Sequence, residues 1–112
     1  MLSLKALKPS KREKKRYIVY QITAEKKKNF SNSLVSELKK DLGVFGSAKA
    51  GILPIFFDDK TLVGIIKVNH KMVDEVRALF VLISELDKIN VCIQTLGVSG
   101  ILKKAKENYI QQ

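Results

Sequence analysis

Two apolar runs, "ILPIFF" from Ile52 and "TLVGIIKV" from Thr61, are separated only by Asp58, Asp59 and Lys60. Their lengths, their β-branched and aromatic content and the polar tip between them predict a β-hairpin. Ahead of it, "YIVYQITA" (Tyr17 to Ala24) reads as a strand, and Phe30, Leu34, Val35, Leu38 and Leu42 then recur at helical spacing. The pattern predicts an amphipathic helix over about residues 31–42, with Asn32, Ser36, Lys39 and Lys40 toward water and Gly43 as its C-terminal cap. Behind the hairpin, Asn69 stands as an N-cap, and Met72, Val76, Leu79, Phe80, Ile83 and Leu86 form a second helical stripe. "INVCIQTL" follows, alternating Ile89, Val91 and Ile93 against Asn90, Cys92 and Gln94 as a half-buried strand does.

A hairpin with a βα unit before it and an αβ unit after it leaves few right-handed arrangements. The order β-α-β-β-α-β is that of the ferredoxin-like split unit, an α+β sandwich with both helices on one face of the sheet. Pro54 supplies an independent point. Proline cannot donate to a strand ladder and belongs at an edge or a bulge, and the second strand of this fold is an edge strand. The last segment, "LGVSGILKKAKENYI", adds a C-terminal helix over about residues 100–110. Gly97 and Gly100 allow a sharp exit from the strand, Ser99 is placed to cap the helix, and Ile101, Leu102, Ala105 and Tyr109 offer an apolar seam. At 112 residues the chain forms one domain, residues 17–112, behind a basic tail, residues 1–16.

Charge narrows the function. The net charge is +10, and Lys5, Lys8, Lys11, Arg12, Lys14, Lys15 and Arg16 against Glu13 concentrate six of those charges in the first 16 residues. Such a surface favours a polyanion. Pro9 and the lack of an apolar run argue against a transit peptide or membrane-surface helix in this segment, although by itself it also reads as a solvated charged tail. No stretch approaches the roughly 20 apolar residues of a bilayer span. The single cysteine, Cys92, excludes an internal disulfide and reads as a small buried or half-buried strand residue in a reducing, cytoplasmic setting.

Catalytic constellations are weak. Asp58 and Asp59 are adjacent carboxylates whose ordinary home is a hairpin tip, and His70, the only histidine, has no nucleophile implied by spacing. "GVFGSAKAG" carries Gly43, Gly46 and Gly51 without the spacing of a phosphate-binding loop, so it reads as a flexible link. An acylphosphatase-like phosphate loop would fall in "TAEKKKN", which has neither its glycines nor its arginine. Base stacking of the RNA-recognition kind is also disfavoured. The third strand has no aromatic, and Tyr17 and Tyr20 point to opposite faces. What remains is phosphate-directed binding of a structured RNA by Lys11, Arg12, Lys14, Lys15, Arg16, Lys26 to Lys28, Lys103, Lys104 and Lys106. Six such contacts imply a log K against log salt slope of about −4 to −5. A regulatory or small-molecule-binding module with incidental charge is the alternative, and a stand-alone hydrolase using Asp58, Asp59 or His70 a third reading.

"REKKRYIVYQI", "LGVFG", "GIIKV" with "HKMVDEV" behind it, and above all "LGVSGILKKAK" resemble, in order and spacing, the archaeal ribonuclease P protein component 2 family. The likeness spans about residues 12–109. It implies an RNA-recognition-like fold without the stacking aromatics. It also implies a noncatalytic subunit of the endoribonuclease that removes the 5′ leader from precursor tRNA, whose RNA performs the chemistry with Mg²⁺. This chain itself would bind no cofactor and no metal. Its expected partners are the ribonuclease P RNA, protein component 3 and other protein subunits, with precursor tRNA in the holoenzyme and no membrane. Matched to the family, Lys14, Lys15, Arg16, Lys103, Lys104 and Lys106 are the expected RNA contacts. "ALFVLI", apolar on every side, offers Leu79, Phe80, Val81 and Leu82 for a protein contact, or else for a second layer of core under the C-terminal helix.

Overall fold

The computed structural model describes residues 14–110, without the side chains of Tyr109 and Ile110. The elements are β1 (Lys15–Ala24), α1 (Ser31–Ala50), β2 (Leu53–Asp58), β3 (Val63–Asn69), α2 (Val73–Leu82), β4 (Glu85–Leu86), β5 (Ile89–Ser99) and α3 (Leu102–Ala105). A 3₁₀ turn, His70–Met72, leads into α2, and a π-turn, Lys106–Ile110, follows α3. Every neighbouring pair in the sheet order β2-β3-β1-β5-β4 is antiparallel. With β5 as the fourth long strand this is the ferredoxin-like order, extended at one edge by the short β4.

Alternation along the strands sorts side chains onto two faces. Ile18, Tyr20 and Ile22 of β1, Ile66 and Val68 of β3, and Val91 and Ile93 of β5 meet Phe30, Leu34, Val35 and Leu38 from α1 and its entry, and Val76 and Phe80 from α2. Tyr20 sits at the centre, its ring centroid 5.6 Å from that of Phe80 and 6.3 Å from that of Phe57. Burial pushes its phenol well above the ordinary value, with the Ser31 hydroxyl acting in the opposite sense. On the other face a smaller cluster joins Val19, Val63, Ile65 and Ala105, flanked by Tyr17, Ile55, Phe56, Leu96 and Leu102. α3 therefore covers the open sheet face.

Pro54 lies on the edge strand β2, beside a register shift between Pro54 and Phe56. Asn69 caps as its position suggests, its Oδ1 accepting the Lys71 N–H at 2.9 Å.

Several elements depart from the pattern reading. β1 opens at Lys15, so two basic residues assigned to the tail belong to the sheet. The glycine-containing link is helical. α1 breaks at Gly43 (φ 79°), resumes through Val44, and ends at Gly51 (φ 54°), whose N–H bonds to the Ser47 carbonyl at 3.0 Å. α2 stops at Leu82, where Ile83 turns extended (ψ 117°), yet Ile83 and Leu86 stay buried. Their apolar stripe crosses from helix to strand without losing its face. Cys92 is exposed because Val91 and Ile93 take the inward positions. At the C-terminus the α-helical turn is short. Ile101 is extended and 53% exposed, outside the expected seam, and Ser99 holds the turn before it by accepting the Ile101 N–H at 3.0 Å.

A candidate nucleic-acid interface at one end of the sheet

The basic entrance to β1 lies between two other chain reversals. On one side Lys15 pairs with Asn69 and Arg16 with Val68, at the end of β3. On the other, Tyr17 pairs with Ser99 at the end of β5. The Lys14 carbonyl accepts the His70 backbone N–H at 2.9 Å and faces His70 Nδ1 at 3.1 Å. The Arg16 guanidinium donates to the Lys15 carbonyl at 2.9 Å and runs past Gly100, where a Cβ would stand 3.5 Å from Nη1. Lys15 Nζ passes 3.4 Å from the Cβ position of Gly51, which closes α1.

α3 carries the second group of cations. Buried Ala105 and half-buried Leu102 anchor it to the sheet, leaving Lys103 and Lys104 exposed. Lys106 differs, because its ammonium lies over the ring of Phe56, 5.7 Å from the centroid. The fold thus brings Lys14, Lys15 and Arg16 to the strand end from which α3 departs. Lys11 and Arg12 lie outside the described residues.

Lys26 to Lys28 do not join this cluster. They follow Ala24 at the opposite end of β1, and Lys28 pairs with Asp87 at 3.0 Å, the one ion pair among the described residues. Basic residues that sequence reading left aside do belong to the cluster end. Lys67 pairs with Tyr17, Lys71 follows His70, and Lys49 sits in the last turn of α1 before Gly51. Their signal was position: each stands near an element end that the topology carries to the same place.

The four apolar residues of α2 separate by helical angle. Phe80, 1% exposed, is core, and Leu79 packs against the core, whereas Val81 (80%) and Leu82 (74%) face outward. α3 does not cover them, since it packs on the opposite sheet face. Val44 and Phe45, in the helical piece after Gly43, are a second exposed apolar pair.

Asp58 serves its turn. Its Oδ1 accepts the Lys60 N–H at 2.8 Å, a bond that holds its carboxyl below the ordinary value, and its carbonyl accepts the Leu62 N–H at 2.8 Å. Among the described residues no three His, Cys, Asp or Glu side chains gather as a metal-binding group, and no helix is long and apolar enough to cross a membrane.

Comparison with known proteins matches residues 16–110 to the Rpp14/Pop5 family. Similar curated proteins are named ribonuclease P protein component 2. That of Thermococcus gammatolerans is 37% identical over 111 residues, covering 96% of this chain and 92% of the relative. The Archaeoglobus fulgidus protein is 34% identical over 110 residues (96% and 99%), and the Methanocaldococcus jannaschii protein 34% over 110 residues (96% and 81%). With a family match over nearly all of the described residues and relatives above 30% identity across the chain, this protein belongs to the Rpp14/Pop5 family.

Proposed function

We propose that the chain is a protein subunit of ribonuclease P, the ribonucleoprotein that removes the 5′ leader from precursor tRNA, and that it works in the cytoplasm. Its relatives' name, carried across almost the full length of the chain, is the observation on which this rests. The subunit is noncatalytic. It binds the catalytic RNA through Lys14, Lys15, Arg16, Lys103 and Lys104, while the RNA and its Mg²⁺ perform the hydrolysis. Clustered cations on a docked helix and a strand end favour phosphate contact, which supplies affinity and register rather than sequence readout. The exposed Val81 and Leu82 supply the contact to a second protein subunit, component 3.

The test is reconstitution. Ribonuclease P RNA assembled with the partner protein and this chain should cleave precursor tRNA at lower Mg²⁺ than RNA with the partner alone. Equal cleavage at every Mg²⁺ concentration, with or without the chain, would remove the reading. Replacing Val81 and Leu82 by serine should abolish co-elution with the partner and leave RNA affinity intact.

A further inference from the structure

Beside the cations of the interface stands a side chain of different hydrogen-bonding character. Lys14, Lys15, Arg16 and Lys71 are donors only. His70 stands among them, adjacent to Lys71 in sequence and bonded to Lys14. The Lys14 carbonyl can only accept, so the contact at 3.1 Å requires the proton on Nδ1. In the neutral ring Nε2, on the other side, is then a lone-pair acceptor, and among the described residues it has no hydrogen-bond partner. The backbone that carries the ring is held in place. The same carbonyl also holds the His70 backbone N–H at 2.9 Å, and Asn69, 2% exposed, fixes the turn through its bond to Lys71.

An acceptor fixed among cations cannot bind a phosphate oxygen, which is itself an acceptor. It needs a donor lying beside phosphates. In RNA every nucleotide provides one, the ribose 2′-hydroxyl, and DNA has none. Resting on the RNA-binding reading above, we propose that His70 Nε2 accepts a hydrogen bond from a ribose 2′-hydroxyl while the neighbouring lysines hold the adjoining phosphates. His70 is thereby a specificity residue for RNA over DNA.

The full-length chain is titrated against two labelled duplexes of one sequence, about two helical turns long. One is RNA, and the other carries 2′-fluoro groups throughout, which keeps the phosphates and the A-form helix but removes the donor. Wild type should prefer RNA. His70→Asn retains an amide N–H in place of Nδ1–H and is too short to place an acceptor where Nε2 stands, so it should weaken RNA binding about three- to tenfold and leave fluoro-duplex binding unchanged. Lys71→Ala should weaken both duplexes by the same factor. His70→Gln, measured alongside with thermal unfolding of each variant, guards against a folding defect. Equal wild-type affinity for the two duplexes, or a proportional loss on both in His70→Asn, overturns the proposal. If wild type binds neither duplex in a salt-dependent manner, the RNA-contact reading falls first and takes this inference with it.

Discussion

Phe56 of the edge strand and Lys106 of the C-terminal segment are joined face to cation, 5.7 Å from ring centroid to ammonium. The contact ties the end of α3 to β2, on the far side of the smaller core from β5. Phe56→Leu keeps an apolar side chain and removes the π face. It should lower stability by about 0.5–1 kcal/mol and speed amide exchange selectively at residues 102–110. Unchanged exchange there, measured by mass spectrometry, would show that α3 is held by Ala105 and Leu102 alone.

The same contact decides which lysines give a clean binding test. Lys106 has a structural partner, whereas Lys103 and Lys104 are exposed. The double variant Lys103→Gln, Lys104→Gln should unfold at the wild-type temperature. Its RNA affinity should fall, and the slope of log K against log salt should become shallower by about 1.5–2 for a duplex target. Weaker binding with an unchanged slope would mean that these lysines act through something other than phosphates.

Gly64 is a packing requirement of Tyr20. A Cβ there would stand 2.5 Å from both Cζ and the hydroxyl oxygen of Tyr20 and 2.8 Å from Phe57 Cδ1, a clash with a ring that cannot move aside in the core. Gly64→Ala should destabilise the domain by about 1–3 kcal/mol in urea unfolding. Adding Tyr20→Phe removes one of the three clashing atoms. The pair should therefore cost less than the sum of the single variants, and strict additivity would contradict the contact.

Acid sensitivity should concentrate at the β4–β5 turn. Asp87 accepts from the Ser33 hydroxyl and faces the Lys28 ammonium, and the two hold its carboxyl below the ordinary value of 3.8. With the folded-state value depressed, the unfolded chain takes up the proton first as pH falls. The stabilisation is thus present above the unfolded value and is lost as pH drops through the folded one. Asp87→Asn should be less stable than wild type at neutral pH and should flatten the decline of stability below about pH 5, leaving the residual slope of Asp58. Superimposable pH curves from denaturant titrations would rule the linkage out.

Where periodicity and turn chemistry agreed, the fold was legible in the sequence. The hairpin, the edge position of Pro54, the Asn69 cap and the opposite faces of Tyr17 and Tyr20 follow from local rules that tertiary packing did not override. The failures share a cause. Apolar spacing reports which side of a segment is buried, not whether the segment is helix or strand. Ile83 and Leu86 therefore extended α2 on paper while the chain had already left it. Gly43 was legible as a stop but not as a kink, since nothing in "VFGSAKA" forbids a helix from restarting. Charge ran the other way. The cationic segments were plain in the sequence, but their grouping was not, because it depends on which strand ends the sheet brings together.

The Arg16 guanidinium beside Gly100 links almost the first described residue to almost the last helix. A chain halted during synthesis before residue 100, or clipped there by a protease, keeps most of its positive charge yet lacks the arrangement. The residues that frame this surface come from the start of β1, the turn after β3 and the end of β5, so it exists only where all three are folded against one another.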